Sequence, residues 1–132
     1  MDPVTTIGGA EGLRRIAEAL RAEGIGVEGV YLIKVVSDED DVDWVIRIVT
    51  SRKSREVVLK VFDLRRAGRI PDFGGKVRVD PVPATHPEAS RIIAYARRFA
   101  ELPVEIETVI LDRMLIEYAL VADIERVGAA AA

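Results

Sequence analysis

The sequence predicts a mixed α/β (α+β) domain, in which two helices cover a mixed sheet. Apolar residues recur at helical spacing along residues 13–20. Residues 27–36 and 43–50 are rich in β-branched residues, and the second stretch alternates with the period of a strand. A second helix start with a capping-box spacing follows at Thr85. Burying these apolar faces together requires helices packed on a sheet.

Length and composition are those of one globular domain. The chain has 132 residues, of which 49% are apolar and 31% are charged, so we expect a single domain over 1–127 with a frayed tail at 128–132. No apolar run approaches the roughly 20 residues of a membrane span. The start of the chain lacks a secretory pattern, so a cytoplasmic location is expected.

The rare residue types exclude several chemistries. There is no cysteine and one histidine, which argues against thiolate nucleophiles, disulfides and multi-histidine metal centres. We therefore expect no metal and no cofactor. A net charge of −3 does not attract nucleic acid over the whole surface. The abundance of Arg, Val, Ile and Glu is a compositional hint of a thermophile.

The predicted order of elements is helix, three strands, helix, two strands. Gly24 ends the first helix, and an acidic turn at 37–41 separates the first two strands. Residues 43–50 and 56–63 are predicted to form a hairpin across the basic turn 51–55, because apolar residues alternate in both.

A long irregular connection is predicted at 64–84, within which residues 76–80 could form a short strand. The second helix begins with Thr85 as its cap, and its buried face extends to Ala100. Pro103 ends it, and a strand follows over 104–111.

The last element has two interpretations. Residues 115–124 alternate as in a strand, but their apolar residues also satisfy helical spacing. If the segment is a strand at the edge of the sheet, its unpaired backbone groups would recruit another chain. A buried central strand is the equal alternative.

Two candidate catalytic arrangements lack the partners that they need. His86 has no nucleophile or orienting group placed beside it by the sequence. Asp43 and Glu56 could form a metal site, but Lys60 lacks an acidic residue two positions before it, where Val58 stands. An exposed capping residue and surface charges are the simpler interpretations of these groups.

Charge is unevenly distributed. The acidic run Asp38 to Asp43 is interpreted as a solvated turn or as a docking patch for a basic partner. Six basic residues are candidates for contact with RNA phosphates: Arg52, Lys53, Arg55, Arg65, Arg66 and Arg69. Few aromatic residues accompany them, so base stacking has little support.

Four stretches resemble the C-terminal, catalytic-type domain of archaeal tRNA-splicing endonucleases. They are "LRAEGIGVEG" (20–29), "DWVIRIVTSRKSREVVLKVF" (43–62), "PEASRIIAYARRFA" (87–100) and "VILDRMLIEYALVADI" (109–124). The resemblance covers residues 13–127 and implies a restriction-endonuclease-like fold and a role in tRNA splicing.

The catalytic residues of that family have no counterpart here. Its tyrosine would fall near Val49, its histidine near Ser54, and its lysine in 101–104, which contains no lysine. The resemblance therefore implies a non-catalytic structural subunit of a heterotetrameric endonuclease, which pairs with the catalytic subunit and helps to position precursor tRNA. A stand-alone RNA-binding module and a divergent metal-dependent nuclease are the alternatives.

In that family, such subunits pair through their last strands, and an acidic loop contacts the partner. The predicted partner interface is therefore the last strand and the turn before it: Asp112, Leu115, Glu117, Tyr118, Ala119, Leu120, Val121 and Ile124.

Overall fold

A computed structural model describes residues 2–125, which form a five-stranded mixed sheet with helices on both faces. The helices are α1 (Pro3–Ile7), α2 (Gly9–Ala22), α3 (Ser54–Arg66) and α4 (Pro87–Ala96). The strands are β1 (Gly29–Val36), β2 (Val42–Val49), β3 (Val77–Val82), β4 (Val104–Leu111) and β5 (Met114–Ile124). The predicted α/β class is confirmed, with four helices in this region where two were predicted.

The strands lie in the order β3–β2–β1–β5–β4. β1 is antiparallel to both β2 and β5, and β4 is antiparallel to β5. β3 is parallel to β2. A parallel pair needs a crossover connection, and α3 provides it.

Each face of the sheet buries its own core. The three-helix face packs α1, α2 and α3 on alternate strand residues, including Leu32, Ile46 and Leu120. The opposite face packs α4 on Tyr31, Val45 and other residues of the intervening positions. We call the latter the α4 face.

The predicted strand over 56–63 is wrong, because this segment lies within α3. Val57, Val61 and Leu64 are buried at helical spacing, whereas Leu59 is 52% exposed and Phe62 is 43% exposed. Val57, Leu59 and Val61 also satisfy the period of a strand, which is why the pattern misled. The predicted turn 51–55 is consequently the junction between β2 and α3.

The short strand predicted at 76–80 is confirmed as β3, which continues to Val82. Pro81 fits there because β3 is an edge strand, where a missing backbone donor is tolerated. α4 ends at Ala96, before the predicted end at Pro103 and four residues short of the predicted buried face, and its cap is His86 rather than Thr85. The His86 Nδ1 accepts a hydrogen bond from the backbone N of Ala89 at 3.3 Å.

The last element is a strand, but its predicted position at a sheet edge is wrong. β5 lies between β1 and β4. Residues 119–122 are buried and apolar without interruption, a composition that suits a strand covered on both faces. The alternative of a central strand is confirmed for this part of β5. Residues 126–132, which include the predicted tail, lie outside the described residues.

Candidate functional site

The sheet divides at one end. Pairing between β1 and β5 runs from Gly29 with Ile124 to Lys34 with Tyr118, and it goes no further. Beyond that point β1 pairs only with β2, and residues 114–117 pair only with β4. The sheet thus ends in two hairpin tips. We call residues 35–43 the β1–β2 tip and residues 109–117 the β4–β5 tip.

A groove of about 510 Å³ lies between the two tips. It is lined by Ile33, Lys34, Val35, Val36, Glu88, Met114, Leu115, Ile116 and Glu117. Both tips therefore border the same space, and the start of α4 forms part of its wall.

The tips carry four of the seven large apolar side chains that are exposed in residues 2–125. The four on the tips are Val36, Val42, Ile110 and Leu115. Val36 is the cross-strand partner of Val42, and Ile110 is that of Leu115. Ile110 is 69% exposed and Leu115 is 57% exposed. Grouped exposed apolar residues of this kind are typical of interaction sites.

The β1–β2 tip is acidic. Its five carboxylates are those of Asp38, Glu39, Asp40, Asp41 and Asp43, all of them exposed. The Ser37 Oγ accepts hydrogen bonds from the backbone N of Glu39 at 3.3 Å and of Asp41 at 3.2 Å, which shapes the turn. None of the ion pairs within residues 2–125 involves these carboxylates.

The predicted partner-interface residues separate into two groups. Leu115, Glu117 and Asp112 are exposed, and the Asp112 carboxylate contacts the Arg91 guanidinium at 3.1 Å. Tyr118 is half-buried and packs edge-on against Trp44, with ring centroids 5.8 Å apart. The other predicted residues belong to the core and are not available to a partner: Ala119, Leu120, Val121 and Ile124.

A partly buried polar network, which the sequence did not predict, borders the groove. The Tyr31 Oη donates to the Glu88 Oε1 at 2.8 Å, and the Arg47 Nε donates to the same oxygen at 2.8 Å. Arg47 also binds Asp80 on β3. An arginine in the apolar run of β2 was the one indication in the sequence that a buried carboxylate faces it.

The electrostatics of this network follow from burial and pairing. Burial raises the pKa of Tyr31, and the negative charge of Glu88 raises it further. Burial opposes the charge of Arg47, but its pKa is raised because the hydrogen bond and charge of Glu88 outweigh that effect. Within residues 2–125, no buried side-chain nitrogen or oxygen lacks a hydrogen-bond partner. The network thus joins β1, β2, β3 and α4, with its polar atoms already in use.

Asp43 and Glu56, the possible metal pair, are not brought together. Asp43 is at the start of β2, whereas Glu56 is in the first turn of α3 after β2 has ended. The six residue steps from Asp43 to Val49 along β2 correspond to about 20 Å. Glu56 instead pairs with Arg52. Across residues 2–125, no group of three or more metal-binding side chains is present.

The six predicted RNA-contact residues lie at the two ends of α3. Arg52, Lys53 and Arg55 are at its start, and Arg65, Arg66 and Arg69 are at its end. A helix of 13 residues separates them by about 20 Å. They therefore form two basic areas.

Three of these six cations are engaged in ion pairs. Arg52 binds Glu56, Arg65 contacts Asp72 at 3.4 Å, and Arg69 contacts Glu23 at 3.2 Å. Hydrogen bonds from Arg69 and Lys60 lower the pKa of Glu23. In the part of the chain that the structure describes, Lys53, Arg55 and Arg66 have no ion pair.

The outer side of α3 combines apolar and basic residues. Arg55, Leu59, Phe62 and Arg66 are exposed at the spacing of one helical stripe, which we call the α3 stripe. The Arg65 guanidinium lies 5.8 Å from the centre of the Phe62 ring, so a further cation borders it.

Comparison with protein-family models, with curated proteins and with solved structures finds no match to this chain. Over residues 2–125, no helix combines the length and the apolar character needed to cross a membrane.

Proposed function

We propose that this protein is a non-catalytic structural subunit of a hetero-oligomer and that it binds its catalytic partner through the β4–β5 tip. The observation that carries the proposal is the exposed cross-strand pair Ile110 and Leu115 beside the groove. Removing such an apolar surface from water favours association with a partner that covers it. The candidate complex is the tRNA-splicing endonuclease, which parts of the sequence resemble.

The backbone of the same tip supports strand addition by a partner. Residues 114–117 pair with β4 on one side, and pairing with β1 begins only at Tyr118. Their other side therefore faces the groove. An extended segment of the partner could hydrogen-bond there, as in other complexes formed by strand addition. This is a shorter and differently placed edge than the full last strand that the sequence predicted.

The proposed lack of catalysis is supported by the positions of the titratable groups. Tyr31, Arg47 and Glu88 are close together, but they bond to one another. The resemblance implied that the family's catalytic tyrosine and histidine would fall near Val49, which is buried, and near Ser54, which begins α3. The resemblance over 43–62 implied a hairpin that α3 replaces. The tRNA-splicing assignment and the restriction-endonuclease-like fold thus depend on the other three stretches.

A reconstitution experiment tests this proposal. We expect the chain to co-purify with a catalytic endonuclease subunit and to be required for excision of an intron from precursor tRNA. Leu115→Glu should abolish the complex, because it places a charge in the buried centre of the interface. Phe99→Glu is the matched control, since Phe99 is an exposed apolar residue outside both tips. A catalytic chain that is fully active alone, or unchanged binding by Leu115→Glu, would refute the proposal.

A stand-alone RNA-binding role is the second candidate, and the cations of α3 without ion pairs favour it. Lys53, Arg55 and Arg66 could each neutralise one phosphate. Affinity for single-stranded RNA would then fall with a log–log salt slope of about −2, since each contact contributes about −0.7. Filter binding across a salt series would measure it. A chain that binds RNA without any protein partner would favour this function.

A further inference from the structure

Two segments of this chain carry opposite charge. Residues 36–43 contain five carboxylates and no cation, whereas residues 52–69 contain seven cations and two carboxylates. Both segments are largely exposed. With a net charge of only −3 over the whole chain, the protein is electrostatically bipolar. Surfaces with complementary potentials attract each other and fix their relative orientation.

Each of these segments also has an apolar centre. At the β1–β2 tip it is the cross-strand pair Val36 and Val42, which are 39% and 47% exposed. On the α3 stripe it is Leu59 and Phe62, with Arg55 and Arg66 at the two ends. An apolar centre with a charged rim is the usual anatomy of a protein interface. Six of the seven large exposed apolar residues in 2–125 lie on these two surfaces and on the β4–β5 tip.

The β1–β2 tip and the α3 stripe of the same chain cannot contact each other. The opposite side of α3 is buried against the sheet through Val57, Val61 and Leu64. Leu59 and Phe62 therefore point away from the sheet to which the tip belongs. Contact between the α3 stripe and a β1–β2 tip requires a second molecule.

We infer that the β1–β2 tip binds the α3 stripe of a second copy of this chain. Such a contact is heterologous, because one surface of each copy is used, and it produces a closed ring or an open chain. The apolar centres are small, so the association is of the weak, salt-sensitive class. It uses a different tip from the one assigned to the catalytic partner and does not depend on that assignment.

Sedimentation velocity of the purified chain at low salt tests the inference. We expect association that increases with concentration and is lost at high salt. Val42→Asp disrupts the apolar centre of the β1–β2 tip, and Leu59→Glu disrupts that of the α3 stripe. Each variant alone should therefore remain monomeric. An equal mixture should form a heterodimer and nothing larger, because one intact tip and one intact stripe remain. Both changes are at exposed positions, and circular dichroism would verify folding.

A charge-reversal pair provides an independent measurement. Glu39→Lys and Arg66→Glu should each weaken self-association, by roughly tenfold when an attraction becomes a repulsion. The chain that carries both changes should regain affinity, since the signs are again opposite. A monomeric wild-type chain at every concentration, a Leu59→Glu variant that still dimerises, or a double variant no tighter than either single one would overturn the inference.

Discussion

The two parts of β5 differ although both are apolar. Residues 118–121 pair with both β1 and β4, residues 122–124 continue along β1, and side chains of both stretches enter the two cores. Residues 114–117 pair with β4 alone, and only Ile116 is buried among them. Leu120 is 6% exposed, whereas Leu115 is 57% exposed. The same residue type thus contributes to folding in one part and remains available for binding in the other.

The neighbours of the strand explain this difference. On the three-helix face, the cross-strand pair Lys34 and Trp44 lies beside Tyr118, and Trp44 and Tyr118 pack against the helical core. The next pair on that face, Val36 and Val42, is exposed. Helix packing therefore ends between these two layers, and β1 and β5 separate at the same level. Beyond that level, the two hairpin tips form part of the protein surface.

The largest effect is expected from shortening leucines in the two parts. Leu120→Ala should lower the free energy of unfolding by about 3 kcal/mol, because it leaves a cavity in the three-helix core. Leu115→Ala should change it by less than about 0.5 kcal/mol, because its side chain is already in solvent. Urea unfolding followed by circular dichroism measures both. Equal losses would show that the two parts of β5 are not different in packing.

A smaller loss is expected from the network that borders the groove. Glu88→Ala removes the main partner of Arg47, whose side chain is 11% exposed, and leaves its guanidinium with Asp80 alone. We expect a loss of about 2 kcal/mol, below that for a fully unpaired buried charge, since Asp80 remains. Glu39→Ala on the exposed turn is the control and should be neutral. An equally neutral Glu88→Ala would mean that the groove side of α4 is held by apolar contacts alone.

The effect that is smallest at neutral pH is a loss of stability that appears only in the alkaline range. The pKa of Tyr31 is raised by burial and then by Glu88, so the folded state keeps its phenol proton when the unfolded chain loses it near pH 10. Stability is therefore complete below that pH and falls above it, by up to about 1.4 kcal/mol for each pH unit.

Tyr31→Phe tests this dependence, and Tyr118→Phe supplies the comparison. The first variant should lose the steep part of the decline between about pH 10 and 12. Burial, followed by a hydrogen bond to Glu105, also raises the pKa of Tyr118, which lies at the boundary between the two parts of β5. Tyr118 is only half-buried and its partner Glu105 is exposed, so its contribution should be smaller than that of the fully buried Tyr31. Thermal unfolding across this pH range would rank the two.

Much of the fold could be predicted from local patterns. The stripe of α2 at Leu13, Ile16, Ala17 and Leu20 is buried as expected, and β1, β2, β4 and α4 lie where their patterns indicate. These elements have one dominant period each. α3 was missed because Val57, Leu59 and Val61 fit a strand, and only the parallel position of β3 requires a crossover helix there.

The candidate sites were less predictable. The acidic turn and the six basic residues were identified by charge, because charge can be read directly from the sequence. The apolar surfaces were not, since exposure depends on what packs above each residue. Leu59 and Phe62 were assigned to a strand, and Leu120 was assigned to an interface that the fold buries.

The sequence by itself determined which segments are apolar, which positions alternate, and where opposite charges accumulate. These properties depend on residues close together in the chain. Only the tertiary structure decided that β5 is central, that its first four residues border a groove, and that one side of α3 stays uncovered. Those outcomes depend on which distant strands become neighbours, and hydrophobic burial specifies that a face must be covered without specifying by what.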